Sequence, residues 1–226
     1  MPTPNYLREW AGVDPETGAP QWFTTDANGN RVVTKNYAQA DEVALDKRAT
    51  PKVFGSFSTT IAYKGFDLNA VFGYSLGAYI YNYSRQEYDS DGAYTDRNQY
   101  RLQKGWSRWQ HKGDIATHPA PAYNNKSNSN KASTRYLENA DFLKLRSLTL
   151  GYNFNLKTQI VKALRVYISG ENLFCITDYS GVDPELPAAD DGRDASGERS
   201  TALAISTGPG VYPSVRKFTL GVNVTF

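Results

Sequence analysis

The chain has 226 residues, 25 of them basic and 23 acidic, for a formal net charge of +2, and it carries no basic run that could track a phosphate backbone. Cys175 is its one cysteine, which excludes an intrachain disulfide. No stretch of about 18 apolar residues occurs, so no membrane-crossing helix is expected; strands that cross a membrane alternate in polarity and would leave no such stretch. With 16 Tyr, 10 Phe and 4 Trp, the aromatic content suits interfacial girdles or sugar-binding surfaces.

Taken from the N-terminus, MPTPNYLREW has no charged segment followed by an apolar one, so no signal peptide is read there and a piece of a longer protein is expected. Gly12-Val13-Asp14-Pro15-Glu16 recurs as Gly181-Val182-Asp183-Pro184-Glu185, which reads as one Asp-Pro turn used twice rather than as a shared ligand site. Pro20 to Lys35 reads as a hairpin with Asn28-Gly29 in its turn. Val53 to Tyr63 alternates, with Phe57, Ile61 and Tyr63 opposite Ser56, Ser58, Thr60 and Ala62. Lys64-Gly65 then closes a two-residue hairpin into a second alternating run from Phe66.

A long connection from Tyr83 to Asp141 follows, rich in Asn, Ser, Tyr and charge. Further alternating runs are Phe142 to Phe154 and Leu164 to Phe174, joined by a short connection. After another long, polar stretch from Cys175 to Pro213 comes Ser214 to Phe226. Phe218, Leu220, Val222, Val224 and Phe226 point to one face of that last strand, and its final residue is aromatic. Connections alternate short and long, and loops above about 15 residues are uncommon in compact domains. Transmembrane barrels put short turns on the periplasmic side and long loops outside, which would leave Phe226 at the periplasmic side. Alternation by itself does not separate a barrel from a soluble sandwich, since both give each strand one apolar face.

Little catalytic chemistry is legible. His111 and His118 lie in a loop without cysteine or a carboxylate cluster of ligand spacing, so no zinc site is expected. Asp190, Asp191 and Asp194, with Glu198, form an acidic loop that could hold Ca²⁺, although the spacing is not that of an EF-hand and a solvated loop accounts for it. No G-x-S-x-G, P-loop or H-E-x-x-H motif occurs, and no cofactor is expected. Cys175, near a strand end, reads as a thiol without function. Trp106, Trp109, Tyr94, Tyr100 and Tyr123 sit in the long loop, where they could stack on sugars or pack under a lid, or fill the loop's own small core. Lys144 and Arg146 fall by alternation on the apolar face near the outer end of their strand, where snorkelling to the headgroups would accommodate them.

The segments GVDPETGAPQW from Gly12, ATPKVFGSFSTTIAYKGFDLNAVFGYSLGAYIYN from Ala49, RWQHKGD from Arg108, STRYLENADFLKLRSLTLGYNF from Ser133 and LRVYISGENLFCITDYSGVDPEL from Leu164, together with the closing YPSVRKFTLGVNVTF, carry a resemblance. In this order they resemble the C-terminal part of a SusC/RagA-type TonB-dependent transporter. The resemblance implies an all-β fold: about five long strands of an antiparallel outer-membrane barrel of roughly 22 strands, with long extracellular loops. Residues 1–51 would be an extracellular loop and hairpin region, and 52–226 the C-terminal strands with their outer loops, the plug being absent. It further implies import of glycan or peptide fragments, a SusD-like surface lipoprotein as lid, energy from TonB–ExbB–ExbD through a segment this chain lacks, lipid around the barrel and no nucleic-acid partner. A sheet of five strands would leave its edges unpaired in lipid, so the chain alone is not expected to transport. The rival is a soluble β-sandwich that binds carbohydrate through its aromatic loops; an enzyme comes third.

Overall fold

The structure is a computed structural model that describes residues 5–96, 98–156, 160–185 and 213–226. The described residues fall into two units: 5–49 with 79–138, and 50–78 with 139–185 and 213–226.

The first unit is built of short strands. β1 (Asn5–Arg8) pairs antiparallel with β5 (Glu42–Leu45), and between them β2 (Trp10–Val13), β3 (Pro20–Thr25) and β4 (Arg31–Thr34) form a three-stranded sheet in that order. The expected hairpin is β3–β4. Its turn is organised by Asp26, whose carboxylate accepts from the backbone N–H of Asn28 at 2.9 Å and of Asn30 at 2.8 Å, while Gly29 takes the left-handed conformation at φ +83°. Trp22 on β3 is fully buried, held edge-on between Trp10 at 5.7 Å and Tyr37 at 5.4 Å.

After β6 (Val53–Tyr63) and β7 (Phe66–Leu76), which belong to the second unit, the chain returns as β8 (Tyr79–Tyr81) and α1 (Tyr83–Tyr88). Asn82 caps α1 by accepting from the Arg85 N–H at 2.9 Å. β8 pairs with β9 (Leu137–Asn139), and Leu7, Tyr81, Tyr136 and Leu137 form the buried apolar cluster of this unit.

The second unit is one antiparallel sheet of β6, β7, β10 (Phe142–Phe154), β11 (Ala163–Thr177) and β12 (Lys217–Thr225), each beside its neighbour in chain order. All five long strands expected from alternation are present. Lys64 at φ +44° and Gly65 at φ +89° make the tight β6–β7 turn, which matches the right-handed twist of its strands. In register, Tyr63, Phe66, Tyr152, Val166 and Val222 share one row, so the β6–β7 turn, the β10–β11 connection and the C-terminal end of β12 lie at the same end of the sheet.

Candidate functional site

The register turns five separate alternations into two continuous faces. Ile61, Leu68, Leu150, Ile168 and Leu220 stand side by side across the whole sheet. The row one step away is Thr60, Asn69, Thr149, Ser169 and Thr219, and it points to the other face. Four of the five are bare, Ile61 at 56%, Leu150 at 45%, Ile168 at 52% and Leu220 at 75% exposed, and Leu68 is half-buried. Phe218, Val222, Val224 and Phe226 of the last strand are exposed as well.

The polar face is knitted together by long side chains lying over glycines. The Arg165 guanidinium crosses Gly151 and bonds Asp67, its Nε donating at 3.1 Å, and Asn153 donates to the same carboxylate at 2.9 Å. The Tyr167 ring lies over Gly221, where a Cβ would collide with it.

Lys144 and Arg146 do not share the apolar face, contrary to the expectation from alternation. The β10–β7 register slips between Leu145 and Ser147, so Arg146 is an extra residue and the phase is reset beyond it. Lys144 is thereby opposite Gly73 and Cys175, on the polar face, and is buried. Its ammonium does not snorkel. It donates to Asp183 Oδ2 at 3.0 Å, Glu185 Oε2 at 3.1 Å and Ser214 Oγ at 3.1 Å, which satisfies all three of its donors. Arg146 lies over Gly73 and pairs with Glu185. Cys175 is exposed on β11.

The two Gly-Val-Asp-Pro-Glu copies fold into the same turn. Asp14 Oδ1 accepts from the Glu16 N–H at 3.1 Å, and Asp183 Oδ1 from the Glu185 N–H at 3.0 Å. In each copy the other carboxylate oxygen takes a lysine: Lys35 at 2.5 Å from Asp14, Lys144 at 3.0 Å from Asp183. The bonds from Lys35 and Thr17 lower the Asp14 carboxyl to about 2.

The aromatic residues singled out in the long loop take up separate contacts. Trp106 lies against the His118 ring at 5.0 Å beneath the Arg85 guanidinium at 4.3 Å. Trp109 donates from Nε1 to the Pro15 carbonyl at 2.9 Å. Tyr100 packs on Tyr88 at 5.2 Å, Tyr94 reaches Glu87 at 3.5 Å, and Tyr123 stands 70% exposed. Asp190, Asp191, Asp194 and Glu198 lie outside the described residues.

Beneath these rings is a buried ionic hub that alternation gives no means to find. Arg135 pairs with Asp91 and lies 3.7 Å from Asp89; Arg108 reaches Asp91 at 2.7 Å; Arg85 reaches Asp89 at 3.3 Å and Glu138 at 2.9 Å. His118 Nε2 faces Asp89 at 2.7 Å and Nδ1 faces Thr117 Oγ1 at 2.8 Å. The Thr117 hydroxyl also donates to the Ser107 carbonyl at 2.9 Å. Burial works to raise the Asp89 carboxyl, but the His118 bond and the Arg135, His118 and Arg85 charges outweigh it and hold it below its ordinary value. For Arg135, burial opposes the charge, yet Tyr136, Asp91 and Asp89 keep it above its ordinary value. His111, by contrast, is an exposed residue 3.9 Å from Asp114.

No family model matches the chain. Among curated proteins it is 33% identical over 181 residues to "TonB-dependent receptor P3" of Formosa agariphila, covering 78% of this chain and 16% of that protein. It is 28% identical over 216 residues to "TonB-dependent receptor SusC" of Bacteroides thetaiotaomicron, covering 93% of this chain and 18% of that one. The chain is related to the SusC/RagA-type TonB-dependent receptors. Among solved structures, one described as "Structure of the RagAB peptide transporter" superposes over 100% of this chain and 23% of its own, with a TM-score of 0.76 and 28% identity. Another, described as the RagAB peptide importer in the 'closed-closed' state, has a TM-score of 0.66 at 26% identity and covers 98% of this chain and 23% of that one. The SusC/RagA-type relationship thus holds in sequence and in fold, and it points to the outer membrane. The chain spans less than a fifth of the curated relatives' length.

Proposed function

We propose that the five-stranded sheet is part of the wall of an outer-membrane barrel that imports nutrients, its apolar row against lipid and its Thr–Asn–Ser row toward the lumen. The observation that carries this reading is the unbroken apolar row across all five strands, exposed on four of them and half-buried at Leu68. A soluble sandwich would bury that row under a second sheet about 10 Å away, and none covers it among the described residues. Strands that pair antiparallel in chain order, joined by alternating short and long connections, are the usual build of such barrels.

Kinship to SusC and RagA supports the finer assignments: the C-terminal part of a barrel of about 22 strands, import of glycan or peptide fragments, a SusD-like lipoprotein over the outer loops, and TonB–ExbB–ExbD as the energy source. Under this reading residues 1–51 and the aromatic loop (Trp106, Trp109, Tyr94, Tyr100, Tyr123) lie outside the membrane, the C-terminal end of β12 faces the periplasm, and the sheet alone does not transport.

The test uses a Cys175→Ser background with a single cysteine placed at Leu220 or at Thr219 and labelled with bimane in liposomes. Quenching by brominated lipid at 220 and by aqueous iodide at 219 is the expected result. If both positions are iodide-quenched and the chain is monodisperse without detergent, the soluble carbohydrate-binding sandwich replaces the barrel.

A further inference from the structure

We propose that an open cleft in the first unit binds a small ligand through its carboxylate group. The cleft measures about 420 Å³, within the usual range for small-ligand sites. Part of its lining is made of short residues that do not fill it: Gly18, Ala19, Ala120 and Ala122. The two segments that carry them are tied together by the Ala120 N–H donating to the Gly18 carbonyl at 2.9 Å. From behind, the Trp109 ring packs onto Gly18 so closely that a Cβ there would collide with it. The cleft is therefore a kept space with a fixed back wall.

The rim selects the ligand chemistry. Lys35, Asn36, Lys126, Ser127 and Asn128 supply two ammonium groups, two amides and a hydroxyl, and no Asp or Glu lines the cleft among the described residues. Lys35 is held in place by Asp14 at 2.5 Å and Thr17 at 3.2 Å, which fixes its position and offsets much of its charge. Asn36 uses its Oδ1 on the Ala38 N–H at 3.1 Å, which leaves its NH₂ end to donate. Lys126, at the end of the short 3₁₀ turn Tyr123–Asn125, is exposed. Donors thus dominate, and an acceptor-rich, negatively charged group is their natural complement. No aromatic ring lines the cleft among the described residues, so a neutral sugar has no stacking platform there. This inference does not depend on the import reading, because the cleft lies wholly in the first unit.

The experiment titrates the full chain, folded in detergent micelles, and follows its tryptophan fluorescence, to which Trp109 behind the cleft contributes, with calorimetry as a second readout. Two pairs of probes separate the sources of the carboxylate: digalacturonate against its methyl ester, and N-acetyl-trialanine against N-acetyl-trialanine amide. At least one acid should bind, its neutral partner about tenfold or more weaker, and the acid that binds names the source. Lys126→Gln should weaken the acid about tenfold and leave the circular dichroism unchanged, whereas Lys131→Gln, outside the cleft, should alter neither. Acid and neutral probes binding equally, no binding by either acid at 10 mM, or an acid affinity indifferent to Lys126→Gln would each overturn the proposal.

Discussion

At the scale of single residues, the first unit depends on charge taken out of water. Asp89 and Asp91 sit among Arg85, Arg108, Arg135 and His118 with almost no solvent contact. Such a cluster is tolerable only when each charge is matched, because an unmatched buried ion costs several kcal/mol. The pH dependence follows from direction. The carboxyls of Asp89 and Asp14 are lowered on folding, the latter from 3.8 to about 2. A lowered carboxyl contributes stability above its unfolded value, and that contribution is lost as pH falls through the folded value. The tryptophan fluorescence of this unit should therefore stay constant from neutral pH to about 4 and change between about 4 and 2; loss already above pH 5 would contradict the assignment. None of this hub was legible in the sequence. Its members are spread from Arg85 to Glu138, and nothing in local period tells a buried Asp from a solvated one. His118 could be weighed as a ligand from its neighbours in sequence, but its partner Asp89 is 29 positions away.

At the scale of elements, the extra residue in β10 matters most. It moves Lys144 to the polar face, where its ammonium gathers Asp183 and Glu185 from the end of β11 and Ser214 from the approach to β12. One buried cation thus holds together the two stems of the long β11–β12 connection, and closing a long loop otherwise costs chain entropy. Lys144→Met should destabilise the second unit by about 3–5 kcal/mol, since it leaves Asp183 buried without its cation. Adding Asp183→Asn should recover part of that loss, and urea unfolding in micelles would measure the coupling. A double variant no more stable than Lys144→Met alone would mean that the pair acts independently. The strands themselves were legible because every second residue faces one environment over most of each strand. The phase slip left a trace that alternation read from the later half passed over: Leu143 and Leu145 fall at odd positions, Leu148 and Leu150 at even ones, with Arg146-Ser147 side by side between them, and the register of β7 fixes it there.

At the scale of the molecule, the two units differ in what makes them readable. The sheet follows from local alternation and a two-residue turn. The first unit is assembled from short strands and distant bonds, such as the Trp10 N–H to Thr134 Oγ1 at 2.9 Å, 124 positions apart, and composition does not disclose such pairings. Kinship over most of the chain supplied what alternation left open between barrel and sandwich. The barrel reading makes a directional prediction for the sheet. Leu220→Arg should cost about 2–4 kcal/mol in lipid near the bilayer midplane, because an ion would face hydrocarbon. Thr219→Arg, one residue away and on the wetted side, should cost far less. Equal costs measured by denaturant titration in liposomes would remove the distinction between the faces.

The residue inserted in β10 also bears on how this strand can change length over evolutionary time. Leu145 and Ser147 already stand opposite the consecutive residues Phe72 and Val71 of β7, so deleting Arg146 keeps both halves of the strand in phase with that neighbour. A deletion at Leu148 or Thr149 would exchange inside for outside along everything on one side of it. Relatives should therefore vary in length at this point of the strand and hold it constant elsewhere, a pattern that sequence gaps alone could reveal.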